Sequence, residues 1–322
     1  QKSSWGDAKT EETAEYIPEI SIHSRMGYEH DFLEQVGRFD GNGLYLGIDG
    51  NISPNFSYSF YHCIASSDSQ GLFGFDNTQW LTVSYENDWL NLTAGKNAVM
   101  VGSFEYDGYD IDSYYFMNSS FWNSFDCWQW GASASFYPDD DHELTIQVCN
   151  SPFSFGEPNL FAYALGWRGE MEWLESLWTA NMWQYDKGSY MKSMNFANRF
   201  DFDDFSFDLE YMTRGLSLKG LFTDDITLHA VPSYEWEWGR AFAKFGYEHV
   251  AQDLPYELAY ESGDYMFYGA GVEFFPLKQD KDIRAHVAWT SNNTGFNTLD
   301  IGLTWKFDIT GAAKSIFYRL NR

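Results

Sequence analysis

Four carboxylates crowd the first half of one stretch of the chain, residues 101–126, VGSFEYDGYDIDSYYFMNSSFWNSFD: Glu105, Asp107, Asp110 and Asp112. Tyr106, Tyr109, Tyr114, Tyr115 and Phe116 are interspersed among them. The rings are suited to docking the segment against a wall, leaving the carboxylates as fixed negative charge facing whatever passes. Far away in sequence, Arg25, Arg168, Arg199, Arg284 and Lys306 occupy alternating positions that share a polar face. A basic wall opposite an acidic segment makes a transverse field that orients polar solutes and filters ions. The same Arg and Lys residues could equally pair with Asp49, Asp208, Glu210, Glu273 or Asp300 and hold the wall rigid, and exposed pairs of that kind contribute little stability.

Other chemistries find little support. The seven histidines, at 23, 30, 62, 142, 229, 249 and 286, show no spacing such as H-x-x-x-H, so no metal or cofactor is expected. No Gly-rich phosphate loop and no paired Ser and His motif points to an enzyme. The formal net charge of −27, from 47 acids against 20 bases, argues against nucleic acid as a partner. Three cysteines are too few for a disulfide framework.

The elements that must position these residues are all of one type. Sixteen segments alternate apolar and polar residues with a period of two, near 18–28, 43–52, 55–65, 78–87, 89–100, 127–137, 143–152, 159–169, 176–186, 191–201, 205–214, 226–236, 240–249, 265–275, 282–291 and 297–308. In WQWGASASFYPDDDHELTIQVCN, residues 128–150, Trp128, Trp130, Ala132, Ala134 and Phe136 share one face before a turn, and Leu144, Ile146 and Val148 share one after it. No helical pattern exists that could cover these stripes. A sixteen-stranded barrel encloses too wide a space to fill with such side chains, so the apolar face must point outward. Its partner is hydrocarbon, and the polar, Gly-rich face lines water.

Three further features agree. Mean hydropathy is −0.43 and no run approaches the length of a membrane-spanning helix, a pattern that alternating spanning strands permit. The connections alternate between tight (SPN at 53–55, ND at 87–88, PDDDH at 138–142, DFDDF at 201–205, LKQDKD at 277–282) and mostly longer (29–42, 66–77, 101–126, 215–225, 250–264). Trp89, Trp128, Phe136, Tyr137, Trp178, Trp236, Trp305 and Phe307 fall at segment ends, where aromatic girdles meet the bilayer interfaces. The expected fold class is therefore all-β, a transmembrane antiparallel barrel of sixteen strands in one domain.

Residues 101–126 form the third of the long-side loops. At this point the chain resembles the general porins, whose third loop folds into the barrel and narrows it. More loosely, LNLTAGKNAVMVGSFE resembles the strand entering loop three in the porin O and P family, which includes phosphate-selective channels. The resemblance implies a water-filled, passive and trimeric channel in a bacterial outer membrane, meeting lipid bilayer and lipopolysaccharide and passing ions and small polar solutes. A phosphate channel should present a cationic track, whereas the lumen face here mixes signs and the loop is acidic, so weak cation preference is expected instead. The alternative is a plugged, non-conducting barrel subunit of a larger outer-membrane complex.

Cys127 and Cys149 fall on adjacent strands, near the same end and on the same face. They either bridge or, if the register slips by two residues, lie beyond bridging range, with Cys63 free in both cases. Residues 1–15 read as a polar periplasmic N-terminal segment and 16–309 as the barrel. Residues 310–322, TGAAKSIFYRLNR, read as a basic periplasmic tail.

Overall fold

The computed structural model describes residues 17–66, 74–104, 110–112, 125–154, 156–251, 262–278 and 281–320. Sixteen strands follow one another: β1 (Glu19–Asp31), β2 (Val36–Ser53), β3 (Phe56–Ala65), β4 (Thr78–Asn87), β5 (Leu90–Ala98), β6 (Trp128–Asp139), β7 (His142–Asn150) and β8 (Phe161–Met171). They continue as β9 (Leu174–Asp186), β10 (Ser189–Phe202), β11 (Phe205–Gly215), β12 (Asp225–Trp236), β13 (Gly239–Val250), β14 (Gly263–Phe274), β15 (Ile283–Asn292) and β16 (Asn297–Asp308). Each pairs antiparallel with the next, and β1 closes on β16 with Gly27 opposite Gly302. Closure satisfies every edge, which hydrocarbon demands of a spanning sheet.

The period-two alternation decides which side faces out. On β8, Phe161, Tyr163 and Leu165 are exposed, Leu165 by 55%, whereas the intervening Ala162 is 2% exposed and Gly166 is buried. Val83, Leu92, Ile146, Val287 and Ile301 are likewise exposed on their strands. Apolar outside and polar inside inverts the arrangement of a water-soluble protein, whose exposed apolar patches stay small. At one end, two-residue turns join strands at 54–55, 88–89, 140–141, 172–173, 203–204 and 237–238. Around that rim Trp89 stacks on Phe136, Trp173 on Phe200, and Trp238 packs edge-on against Phe274. Amphipathic rings in such a belt suit a membrane interface.

One expectation needs correction, and two other segments gain detail. The connection expected at 29–42 is only 32–35, because β1 and β2 run on past the Gly-rich GRFDGNG, absorbing it with a bulge at Arg25/Met26. Where residues 310–322 read as a tail, α1 (Ile309–Leu320) follows β16 directly. Cys127 and Cys149 do not bridge. Cys149 lies opposite Gly131, which places Cys127 four residues further along the neighbouring strand, about 13 Å away at the usual rise. That exceeds disulfide reach, and none of the three cysteines forms a disulfide. Unreduced, denatured protein is accordingly expected to take up three equivalents of alkylating reagent; uptake of one would show a bridge after all.

Inside the barrel, towards the long-loop end of β7–β11, Val99, Val101, Phe153, Trp183, Met191 and Met212 form an apolar core. This core occupies one side of the lumen and gives loop three its first purchase.

Candidate functional site

Loop three leaves β5 at Ala98 and turns inward over the lumen face of four strands, each contributing one polar side chain. On β7, Gln147 donates through Nε2 to the Ala98 carbonyl at 2.9 Å and accepts from the Met100 amide at 2.7 Å. On β9, Thr179 Oγ1 donates to the Val101 carbonyl at 2.5 Å. Asn195 of β10 donates to the Gly102 carbonyl. Glu210 of β11 accepts from the Phe104 amide at 3.0 Å. Four side chains on a polar wall thus replace the water that these loop peptides would otherwise bind. Gly102 has φ 81°, and a Cβ there would sit 2.5 Å from Thr179 Cγ2, so both conformation and space require glycine. The guanidinium of Arg199 lies over the Phe104 ring, 4.3 Å from its centroid.

The loop is pinned again on another wall. Residues Asp110–Asp112 make a single 3-10 turn. Asp112 accepts from Arg284 Nη2 of β15 and, at 2.7 Å, from Lys306 Nζ of β16. Arg25 of β1 donates to the Ile111 carbonyl at 3.4 Å. The Ile111 side chain is buried against Tyr45 and Tyr61, which stack on each other, and Tyr61 stacks on Trp80. Register explains the convergence: Arg284 and Arg25 both lie opposite Thr304 of β16, one on each side of it, and Lys306 lies opposite His23. Arg284 is the second residue of β15 and Lys306 precedes the end of β16 by two. The second anchor therefore lies deep, in the short-turn half of the lumen.

Burial alone would raise the Asp112 pKa, but the two cations, Arg284 and Lys306, more than offset it and hold the carboxyl below its ordinary 3.8. Asp112 is thus an anion held in place by charge-assisted hydrogen bonds.

The sequence-predicted residues divide as follows. Asp112, Arg25, Arg284 and Lys306 come together. Asp110 opens the same turn, and Glu105 and Asp107 lie outside the described residues. Arg168 and Arg199 sit apart from the other bases on β8 and β10. Arg168 donates to Glu175 at 2.6 Å, and Arg199 grips Asp208 through two bonds of 2.7 and 2.8 Å. The five bases thus form two groups rather than one wall.

Sequence reasoning did not single out Gln147, Thr179 and Asn195 as loop anchors. Their strand parity marks them as lumenal, but nothing local says that a loop will cross them. It named Glu210, Glu273 and Asp300 as partners for the lumenal bases but missed four charge pairs along β11–β16. Arg214 bonds Glu248 at 2.6 Å, His229 approaches Glu210 at 3.4 Å, Arg240 bonds Glu273 at 2.6 Å, and His286 meets Asp300 at 2.9 Å.

Compared with known protein families and with characterised proteins, the sequence has no match. Solved structures do match. A substituted porin of Rhodobacter blastica superposes with a TM-score of 0.64 at 11% identity, covering 90% of this chain and 100% of that one. A loop-deleted OmpT, an outer membrane protein of Vibrio cholerae, gives 0.62 at 10% identity over 90% and 99%. Another porin gives 0.58 at 10% identity over 90% and 100%. At these identities the likeness is one of fold: the closed sixteen-stranded antiparallel barrel of porins.

Proposed function

We propose that this chain is a passive porin of a bacterial outer membrane, with loop three setting its size cutoff and a weak preference for cations. The observation that carries this reading is the double pinning of loop three inside a barrel whose outer face is apolar. A loop fixed at β7–β11 and again at β15–β3 narrows the lumen without depending on any partner chain. Small polar solutes and ions would pass beside it, and lipid bilayer and lipopolysaccharide would surround the barrel. A homotrimer of the porin kind fits the same reading, with subunit contacts on the apolar face.

The charge arrangement supports cations over anions. Four of the five bases that would make an anion track are engaged by carboxylates: Asp112 holds Arg284 and Lys306, while Glu175 and Asp208 hold Arg168 and Arg199. This weighs against phosphate selectivity of the porin O and P kind. The remaining excess of acids raises the local cation concentration. In a planar bilayer under a salt gradient, purified protein is expected to give steady ohmic steps with a cation-favouring reversal potential. Silence from a correctly folded, heat-modifiable barrel would overturn the channel and favour a sealed subunit of a larger assembly.

A further inference from the structure

After Asp308 the chain turns basic, as it also does over residues 187–200. No Asp or Glu follows Asp308, whereas Lys314, Arg319 and Arg322 do, in a chain whose acids outnumber its bases by 47 to 20. The segment is also helical. Asp308 Oδ1 accepts from the Gly311 amide at 2.8 Å, capping the first turn of α1. Thr310 Oγ1 donates to the Pro18 carbonyl and accepts from the Ile20 amide, both at 2.9 Å. The helix is therefore tied to the start of β1, at the short-turn rim.

Its sequence is amphipathic. At about 100° per residue, positions 309, 312, 313, 316, 317 and 320 (Ile, Ala, Ala, Ile, Phe, Leu) fall in one stripe roughly 140° wide. Lys314 and Arg319 fall on opposite flanks of that stripe. Phe307, 51% exposed on the lipid side of β16, lies immediately before it and belongs to the aromatic rim, so the stripe begins where the lipid-facing surface ends. An apolar stripe flanked by bases is the pattern of a helix lying in the plane of a membrane surface. The lumen offers little apolar surface for the stripe near this rim, where the wall carries His23, Arg25, Arg284 and Lys306.

We infer that α1 is an interfacial helix that lies on the leaflet at the short-turn end and binds anionic phospholipid headgroups through Lys314 and Arg319. The inference rests on the membrane-spanning reading above. It is tested on the full chain in nanodiscs, by chymotrypsin cleavage after Phe317 and Tyr318. In discs of phosphatidylethanolamine and phosphatidylglycerol, cleavage should be roughly tenfold slower than in phosphatidylcholine discs, because each base near an anionic surface adds attraction. High salt, or the double variant Lys314→Gln/Arg319→Gln, should bring the two rates within twofold. Equal rates for the unaltered chain would overturn the inference: slow in both means the helix docks on protein, fast in both means it is free. Heat-modifiable migration, read on the same samples, separates these outcomes from a failure of the barrel itself, which would overturn both readings.

Discussion

Asp112→Asn is expected to move the reversal potential towards anions, lowering the cation-to-anion permeability ratio roughly sevenfold at low salt. The estimate follows from Coulomb's law: a unit charge about 7 Å from a passing ion, in water-like surroundings, contributes about 0.6 kcal/mol. That is a factor of nearly three for each sign, and the ratio takes the product. Asparagine keeps the shape and removes only the charge, leaving Arg284 and Lys306 facing the lumen without their loop partner. Asp112→Glu should restore most of the preference, which a purely steric role would not predict. The pH dependence has a definite sign. A carboxyl with a lowered pKa stabilises the latched loop above the pKa of the released loop, and loses that contribution as pH falls through the latched value. Because Arg284 and Lys306 depress the Asp112 pKa against burial, the contribution of Asp112 to the native ratio should be lost only below the carboxyl's ordinary 3.8. The Asp112→Asn channel should show no such inflection. An unchanged reversal potential in that variant would remove Asp112 from the selectivity mechanism.

How far this site could be read in advance depended on the range of the information each part needs. Strand parity is local: Leu299, Ile301 and Leu303 alternate with Asp300, Gly302 and Thr304, and the pairing of β16 bears that alternation out residue by residue. The boundaries of β1 and β2 were misread over 29–42, a stretch that holds Gly37 and Gly41. Pairing with β1 over that stretch outweighed a weak local preference. The helix α1 carries a clear stripe at helical spacing, but its shortness and its Thr-Gly opening made it read as a tail. Charge partners are the least local of all. Arg284 and Lys306 lie 172 and 194 residues from Asp112, a meeting decided by how loop three threads the closed barrel. Parity could say that each faces inward, but only the register of β1, β15 and β16 sets them side by side. Gln147, Thr179 and Asn195 escaped notice for the same reason, since a lumenal amide or hydroxyl becomes an anchor only when a loop peptide arrives.

Glu248→Ala should destabilise the barrel by about 3–5 kcal/mol, the larger of the two stability contrasts that the wall offers. Arg214, Thr227 and Glu248 stand on three successive strands, β11, β12 and β13. Arg214 donates to Thr227 at 2.7 Å and to Glu248 at 2.6 Å, and Thr227 donates to Glu248 at 3.2 Å. Both ionic side chains are 0% exposed. A lumen full of water would normally screen a wall pair and reduce it to under about 1 kcal/mol. That is the contribution expected of Lys278–Glu237 at the rim, where both side chains are more than 60% exposed. Removing Glu248 instead takes from a buried guanidinium its hydrogen-bonded carboxylate, leaving only Asp225 across the β11–β12 pairing as a counter-charge. The double variant Arg214→Met/Glu248→Leu should recover most of the loss, because two apolar side chains of similar volume avoid the desolvation of both ions. Urea unfolding in detergent micelles, followed by tryptophan fluorescence, measures all three forms. A single variant within 1 kcal/mol of the native chain would mean that lumen water reaches Arg214 and that this side of the channel is wider than its packing implies. A large loss with recovery in the double variant would establish that the wall beside the loop is dry, leaving the open path to run elsewhere around loop three.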